Sequence, residues 1–291
     1  MRSSPETRTG SAKNAGVFSA AVREEYFLNI LQSFLITLSM YTVIPMPATE
    51  WNGRNLRYCM AFLPAAGFVI SAAEWVLFFV CYSLHLSDVF FASFFCALPV
   101  LVTGKIHIDG LIDTCDALGS HGAREKKLQI LDDPHAGAFG IAGAVVYFLL
   151  FFGVAAELYP LLTPETAAAV FLVFAASRAM AAAQIVTMRL SKQSGLLYTF
   201  RKAASGRGTL ISSAAVSLGC LAAAAASFSY AGLIPGAAGL LFCLYFRSMA
   251  ARQFGGISGD LCGWLIHMQE LILLLSFLPA LLQLGGMADF F

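Results

Sequence analysis

Three aspartates stand close together in the stretch T-G-K-I-H-I-D-G-L-I-D-T-C-D-A-L, residues 103–118: Asp109, Asp113 and Asp116. On a helix, the spacing i, i+4, i+7 puts them at about 0°, 40° and 340°, one face roughly 60° wide. Carboxylates that close repel unless a cation sits among them, and no lysine or arginine lies between Asp109 and Asp116. Hard oxygen donors favour magnesium, manganese or calcium over zinc. The competing reading is a solvated acidic helix end that complements the helix dipole. The membrane beside the cluster and the further acids around it favour metal.

Two other stretches hold groups of the same kind. L-D-D-P-H-A-G-A-F-G, residues 131–140, carries Asp132, Asp133 and His135 ahead of a glycine-rich helix start at Gly137. Backbone N–H groups at such a start can receive phosphate, although glycine there also serves packing. F-G-G-I-S-G-D-L-C-G-W-L-I-H-M-Q-E, residues 254–270, places Asp260, Gly263, His267 and Glu270 on one narrow helical face. Glu270 and Arg178 lie inside apolar runs. An ionisable residue there is a functional candidate, a buried structural ion pair being the alternative. Of the histidines flanking the acids, His107 is two residues from Asp109 and is the best placed to act as base or ligand.

The elements that must position these groups are membrane helices. Of 291 residues, 58% are hydrophobic and 12% charged, and the mean hydropathy is +0.75. A soluble domain carries about 25% charged residues, so lipid must cover much of this surface. The net charge of +1 gives no argument for nucleic acid. The seven cysteines form no CxxC pair and read as small apolar residues, without a disulfide or zinc framework. Apolar runs at about 59–83, 89–103, 137–155, 166–187, 209–229, 236–250 and 265–284 predict seven spans, the second and sixth being short. Seventeen of the eighteen basic residues fall at one set of their ends, the exception being Arg178. That side is then cytoplasmic, with the C-terminus outside. The segment 27–46 has basic residues at both ends and carries Asn29, Gln32, Ser33, Thr37, Ser39 and Thr42. It reads as an interfacial or re-entrant helix. Residues 1–26 read as a polar cytoplasmic tail with no cleavable signal. The fold class is an all-α polytopic transmembrane bundle, with residues 27–291 as a single membrane domain.

The blocks G-K-I-H-I-D-G-L-I-D-T-C-D-A-L (104–118) and R-E-K-K-L-Q-I-L-D-D-P-H-A-G-A-F-G (124–140) closely resemble cobalamin synthases, the adenosylcobinamide-GDP ribazoletransferase family. The late G-G-x-x-G-D-x-x-G matches Gly255 to Gly263, and F-x-P-x-x-G matches Phe62, Pro64 and Gly67. The chain departs from the pattern at Lys105 and Ala117, where glycine is usual. It departs again at Asp132-Asp133-Pro134-His135, where the pattern reads K-D-S-R, so a lysine and an arginine suited to phosphate are missing.

The resemblance implies an enzyme that joins α-ribazole, or its 5′-phosphate, to adenosylcobinamide-GDP. Adenosylcobalamin, or its phosphate, forms and GMP leaves. It implies Mg2+ held by Asp109, Asp113 and Asp116, with Asp133 and Asp260 as further ligands, and His107 or an aspartate assisting deprotonation. Lys105, Gly110, His135, Gly137, Arg178, His267 and Glu270 are then expected at the substrate. The partners implied are the two small-molecule substrates and the lipid bilayer of the bacterial plasma (inner) membrane, with the site facing the cytoplasm. A homo-oligomer stays open. A CDP-alcohol phosphotransferase would need D-G-x-x-A-R, and an aromatic prenyltransferase N-D-x-x-D; neither is present. A transporter would place its acids near the midplane rather than at helix ends.

Overall fold

A computed structural model describes residues 25–288, and side chains to residue 282. The expected tail lies outside the described residues except for 25 and 26, which already belong to the first helix, α1 (25–41). The helices that follow are α2 (Cys59–Ser83), α3 (Asp88–Val102), α4 (Ile106–Gly119), α5 (Arg124–Ile130) and α6 (Ala138–Leu158). Then come α7 (Pro164–Phe171), α8 (Val173–Thr187), α9 (Gly195–Ala203), α10 (Gly206–Phe228), α11 (Ile234–Phe254) and α12 (Gly259–Ala288). Among the described residues there is no β-strand, only one isolated parallel bridge between Leu190 and Ile257. All seven cysteines are free.

By length and composition, five helical runs suffice to cross a membrane, and a sixth if the bent pair α3–α4 is counted. One of the five, Gly206–Phe254, is a hairpin. At its start, Ser205 N donates to Arg57 O (2.8 Å), just before α2. Near its end, Arg247 donates to Gln184 and Thr187 at the end of α8 (2.9 and 2.8 Å). The 3-10 turn Ser229–Leu233 between α10 and α11 folds Gly232 and Gly236 back on Ala224 and Leu221. Two crossings therefore replace one, and α2, α3, α6, α7–α8, α10, α11 and α12 make the seven.

The short second span has a local cause. α3 has 15 residues, about 22 Å of helix, against a hydrocarbon core of about 30 Å. Gly104 and Lys105, with φ of 62° and 71°, then bend the chain by 100° into α4. α4 then packs on the first turns of α12 and α6 instead of extending the axis of α3.

α1 keeps both ends at that face. Tyr26 bonds Tyr58 through their hydroxyls at 2.8 Å, and Val43 N donates to Val102 O at 2.8 Å. Between them, Ser33 and Thr37 donate to Asn55 O (2.6 Å) and Cys59 O (3.1 Å). The polar residues that argued against a span are the ones that fasten this helix to the start of α2.

The bundle wears its apolar residues outward. Val145, Leu149, Leu218, Leu241 and Leu244 are exposed, whereas Glu74, Arg178, His267 and Glu270 are buried. That is the distribution lipid demands. α4 packs across the first turns of α12 at two glycines. A Cβ at Gly110 would lie 2.5 Å from Asp260 O, and one at Gly263 2.6 Å from His107 O. Overpacking a core typically costs about 1–3 kcal/mol. Gly263→Val is therefore expected to lower the thermal midpoint in detergent by several degrees, read by tryptophan fluorescence or differential scanning fluorimetry, with Gly219→Val as a lipid-side control.

Candidate active site

At the basic face, the end of α1, the start of α4, the turn at 131–132, the segment 190–198 and the start of α12 enclose a cavity of about 400 Å³. Its polar wall includes His107, Asp109, Asp132, Lys192, Ser258 and Asp260, and its apolar wall includes Met40, Tyr41, Leu63, Leu197 and Ile266. The glycine crossing puts Asp260 beside α4, and Ser258 Oγ accepts from Leu261 N at 3.2 Å to cap α12. The positive end of the longest helix described thereby lies on the cavity wall.

The aspartates of α4 do not all face one space. Asp109 lines the cavity. Asp113 is half-buried, and burial pushes its carboxyl up to about 6, aided by Asp109, Asp260 and Asp116 and opposed by Lys192. Asp116 turns toward α6: its Oδ1 accepts from Gly140 N at 3.1 Å, and its carboxylate rests on the backbone of Gly137. Gly137 thus admits the carboxylate at the helix start that the sequence suggested for phosphate. Among the described residues, no three His, Cys, Asp or Glu side chains are gathered closely enough to form a metal site by themselves. Magnesium, however, is commonly held by one or two carboxylates and completed by substrate phosphates and water. The oxygen-only donors Asp109 and Asp260 on the cavity wall fit such a shared ion, and the carboxyl of Asp113, one turn along α4 from Asp109, is raised chiefly by burial and then by the charge of both.

Other predicted residues lie elsewhere. Asp133 and His135 are exposed and occupied with each other. Asp133 Oδ1 accepts from His135 N (3.0 Å) and sits 2.9 Å from Nδ1, which holds the carboxyl below its ordinary range. Neither lines the cavity. Asp132, the preceding residue, does, paired to Lys192 at 2.5 Å. Lys105 is exposed at the left-handed turn and does not line the cavity. Gly110 contributes its lack of a side chain against Asp260.

Arg178, Glu270 and His267 lie inside the bundle, outside the cavity lining. Arg178 and Glu270 form a buried ion pair, and Arg178 also donates to Phe174 O and Ser177 Oγ. His267 Nδ1 is 3.4 Å from Glu270 Oε2 and 3.2 Å from Tyr147 Oη. The His107 ring stacks on Tyr41 at 5.7 Å and stands 6.4 Å edge-on from His267. It therefore joins the cavity to this network. Burial, with Arg178 and His267 nearby, holds the His107 imidazole well below its ordinary range, so it is neutral at pH 7. Sequence reasoning noted Asp132 but gave the role to Asp133; it missed Lys192 and Tyr41, which no spacing connects, and Glu74, which is buried with neither carboxylate oxygen bonded to a described residue.

A bundle of membrane-crossing helices defines an integral membrane protein, here with an acid-lined cavity at its basic end. The family model for Cobalamin-5-phosphate synthase matches residues 33–278, and the chain belongs to that family. An adenosylcobinamide-GDP ribazoletransferase of Lachnoclostridium phytofermentans is 34% identical over 245 residues, covering 83% of this chain and 91% of the relative. Proteins of the same name from Clostridium perfringens strain 13 and Clostridium botulinum strain Alaska E43 are 31% and 29% identical. They cover 81% and 85% of this chain and 92% and 97% of the relatives. No solved structure matches.

The raised Asp113 value has a consequence for the metal-free protein. Folding favours the protonated acid, so its contribution to stability is complete below the ordinary 3.8 and is lost as the pH rises through about 6. In EDTA, the thermal midpoint of Asp113→Asn is expected to gain on the wild type across that window and to coincide with it below. Parallel curves would remove the repulsion from the site.

Proposed function

We propose that this protein is an adenosylcobinamide-GDP ribazoletransferase, acting late in cobalamin biosynthesis. It joins α-ribazole, or its 5′-phosphate, to adenosylcobinamide-GDP and releases GMP. The observation that carries this reading is the cavity at the basic face, which Asp109 and Asp260 both line from either side of the α4–α12 crossing, with Asp113 within electrostatic reach of both.

The reaction is a phosphoryl transfer in which a ribose hydroxyl other than the 5′ position, which stays free or phosphorylated, attacks the cobinamide-linked phosphate; the new P–O bond forms as the bond between the two phosphates breaks, and GMP departs. Asp109, Asp113 and Asp260 would hold Mg2+, which when bound offsets negative charge on the pyrophosphate and the leaving group. The side chains do the remainder. His107, neutral and on the cavity wall, accepts the proton of an attacking hydroxyl. Tyr41 backs the His107 ring and fixes its plane. The apolar wall of Met40, Leu63, Leu197 and Ile266 shields the reacting groups from water.

The basic face is the cytoplasmic one in this reading, following the distribution of lysine and arginine, and the membrane is the bacterial plasma membrane. The nucleotide-linked substrate is anionic and cannot cross the bilayer unaided, which agrees with a cavity that opens at a polar face.

Purified protein in proteoliposomes is expected to release GMP from adenosylcobinamide-GDP only when both magnesium and α-ribazole are present. Asp113→Asn should abolish turnover without preventing membrane insertion. The apparent magnesium affinity should fall as the pH drops through about 6, where protons compete for Asp113. GMP release that persists in EDTA, or near-normal turnover of Asp113→Asn, would defeat the assignment.

A further inference from the structure

Among the described residues, Lys192 is the one lysine or arginine lining the cavity, beside Asp109, Asp132 and Asp260. Its place is set by the backbone. Ile257 N donates to Arg189 O at 2.9 Å, and Ser191 N donates to Ile257 O at 3.0 Å. These bonds flank the Leu190–Ile257 bridge and tie the segment after α8 to the turn before α12. The residue that follows is Lys192, so its ammonium is delivered to the mouth of the acidic wall. There Nζ sits 2.5 Å from Asp132 Oδ1, with the lysine side chain 25% exposed and the aspartate 68%. The cation is mostly enclosed while its partner stands in solvent. Its charge also reaches Asp113 and Asp260, the proposed metal-holding acids.

Such a pair is easily exchanged. An ion pair with an exposed carboxylate is worth little, and a pyrophosphate offers more charge and more acceptor oxygens than one carboxylate.

Resting on the function proposed above, we infer that Lys192 grips the diphosphate of the nucleotide-linked substrate, and that Asp132 is the counter-ion holding the ammonium in the cavity until that substrate arrives. The lysine is a binding residue for one substrate only, since α-ribazole carries no diphosphate.

The test uses full-length protein in detergent or proteoliposomes. Lys192→Ala is expected to raise the KM for adenosylcobinamide-GDP about tenfold or more, the scale of one hydrogen bond to a charged group. The KM for α-ribazole should stay unchanged, and kcat should stay within about threefold of wild type if the lost contact holds substrate and transition state alike. The exchange D132K/K192D, which puts lysine at position 132, should recover most of the loss. An unchanged KM for adenosylcobinamide-GDP in Lys192→Ala overturns the inference while leaving the proposed reaction intact. So does an equal rise in both KM values, which marks a structural role. If the wild type releases no GMP, the proposed reaction fails. Calorimetric titration with magnesium–GDP then decides the lysine separately: tighter binding by wild type than by Lys192→Ala upholds its role, and equal affinities overturn it.

Discussion

The close approach of α4 to the start of α12 is the constraint on which the rest of the site depends. Two helices carrying ordinary side chains sit about 8–10 Å apart. Gly110 and Gly263 remove the side chains at the two points where each helix meets the other's backbone, at Asp260 and His107. Two consequences follow from one contact. Asp260, distant in sequence, comes within electrostatic reach of Asp109 and Asp113. His107 is pressed against the interior, facing Tyr41 on one side and His267 on the other. A separation larger by a methyl group at either point would leave three isolated acids and a histidine in water.

Beneath this crossing the bundle holds charge where lipid surrounds it. Removing an ion from water costs several kcal/mol even after relaxation. The Arg178–Glu270 pair is tolerated because Phe174 O and Ser177 Oγ share the Nη1 hydrogens that meet Glu270, and because His267, itself bonded to Tyr147, stands beside the carboxylate. Truncating either partner leaves an uncompensated charge in the bundle, so loss of function on mutation there would reflect the scaffold before the chemistry. These residues set the height and tilt of α12 relative to α8 and α6, and through His267 the floor on which His107 rests. Their contribution to the site is support rather than contact with substrate.

Much of the fold was legible in the sequence because bilayer thickness and charge placement are blunt constraints. The seven spans, the membrane-surface helix and the common face of the basic loops follow from the lengths of apolar runs and the positions of lysine and arginine. Even the short second span was visible as an anomaly, and Gly104 and Lys105 explain it. The site was legible only in part. Periodicity placed Asp109, Asp113 and Asp116 on one helical face, but a face 60° wide still meets two environments when another helix starts beside it. Asp116 therefore went to the N–H of Gly140. The choice between Asp132 and Asp133 depended on the turn after α5, where a one-residue step decides which carboxylate faces inward. Lys192 was invisible as a site residue because a parallel bridge between segments more than sixty residues apart places it. Glu270 and Arg178 were correctly singled out as unusual; sequence cannot distinguish a pair that closes on itself from a pair that reaches a ligand.

The scattered acids are themselves informative about how the site works. A resident metal centre would be expected to hold its ligands together, because a cation offsets their repulsion continuously. Here the carboxylates instead find separate partners: Asp116 a helix start, Asp132 a lysine, Asp113 partial burial that favours its proton. Asp109 and Asp260 remain facing the cavity. That arrangement suits an ion that arrives with the substrate, since a diphosphate brings the oxygens the protein withholds and a charge that Lys192 can meet. Magnesium dehydrates reluctantly and tolerates few protein ligands, so a wall with two or three accessible carboxylates is better matched to a metal–diphosphate than to the free ion. On this argument the acidic wall confers selectivity as well as charge. On the proposed reading that wall would repel the anionic nucleotide without metal and admit it with metal, so that binding and readiness for transfer would coincide.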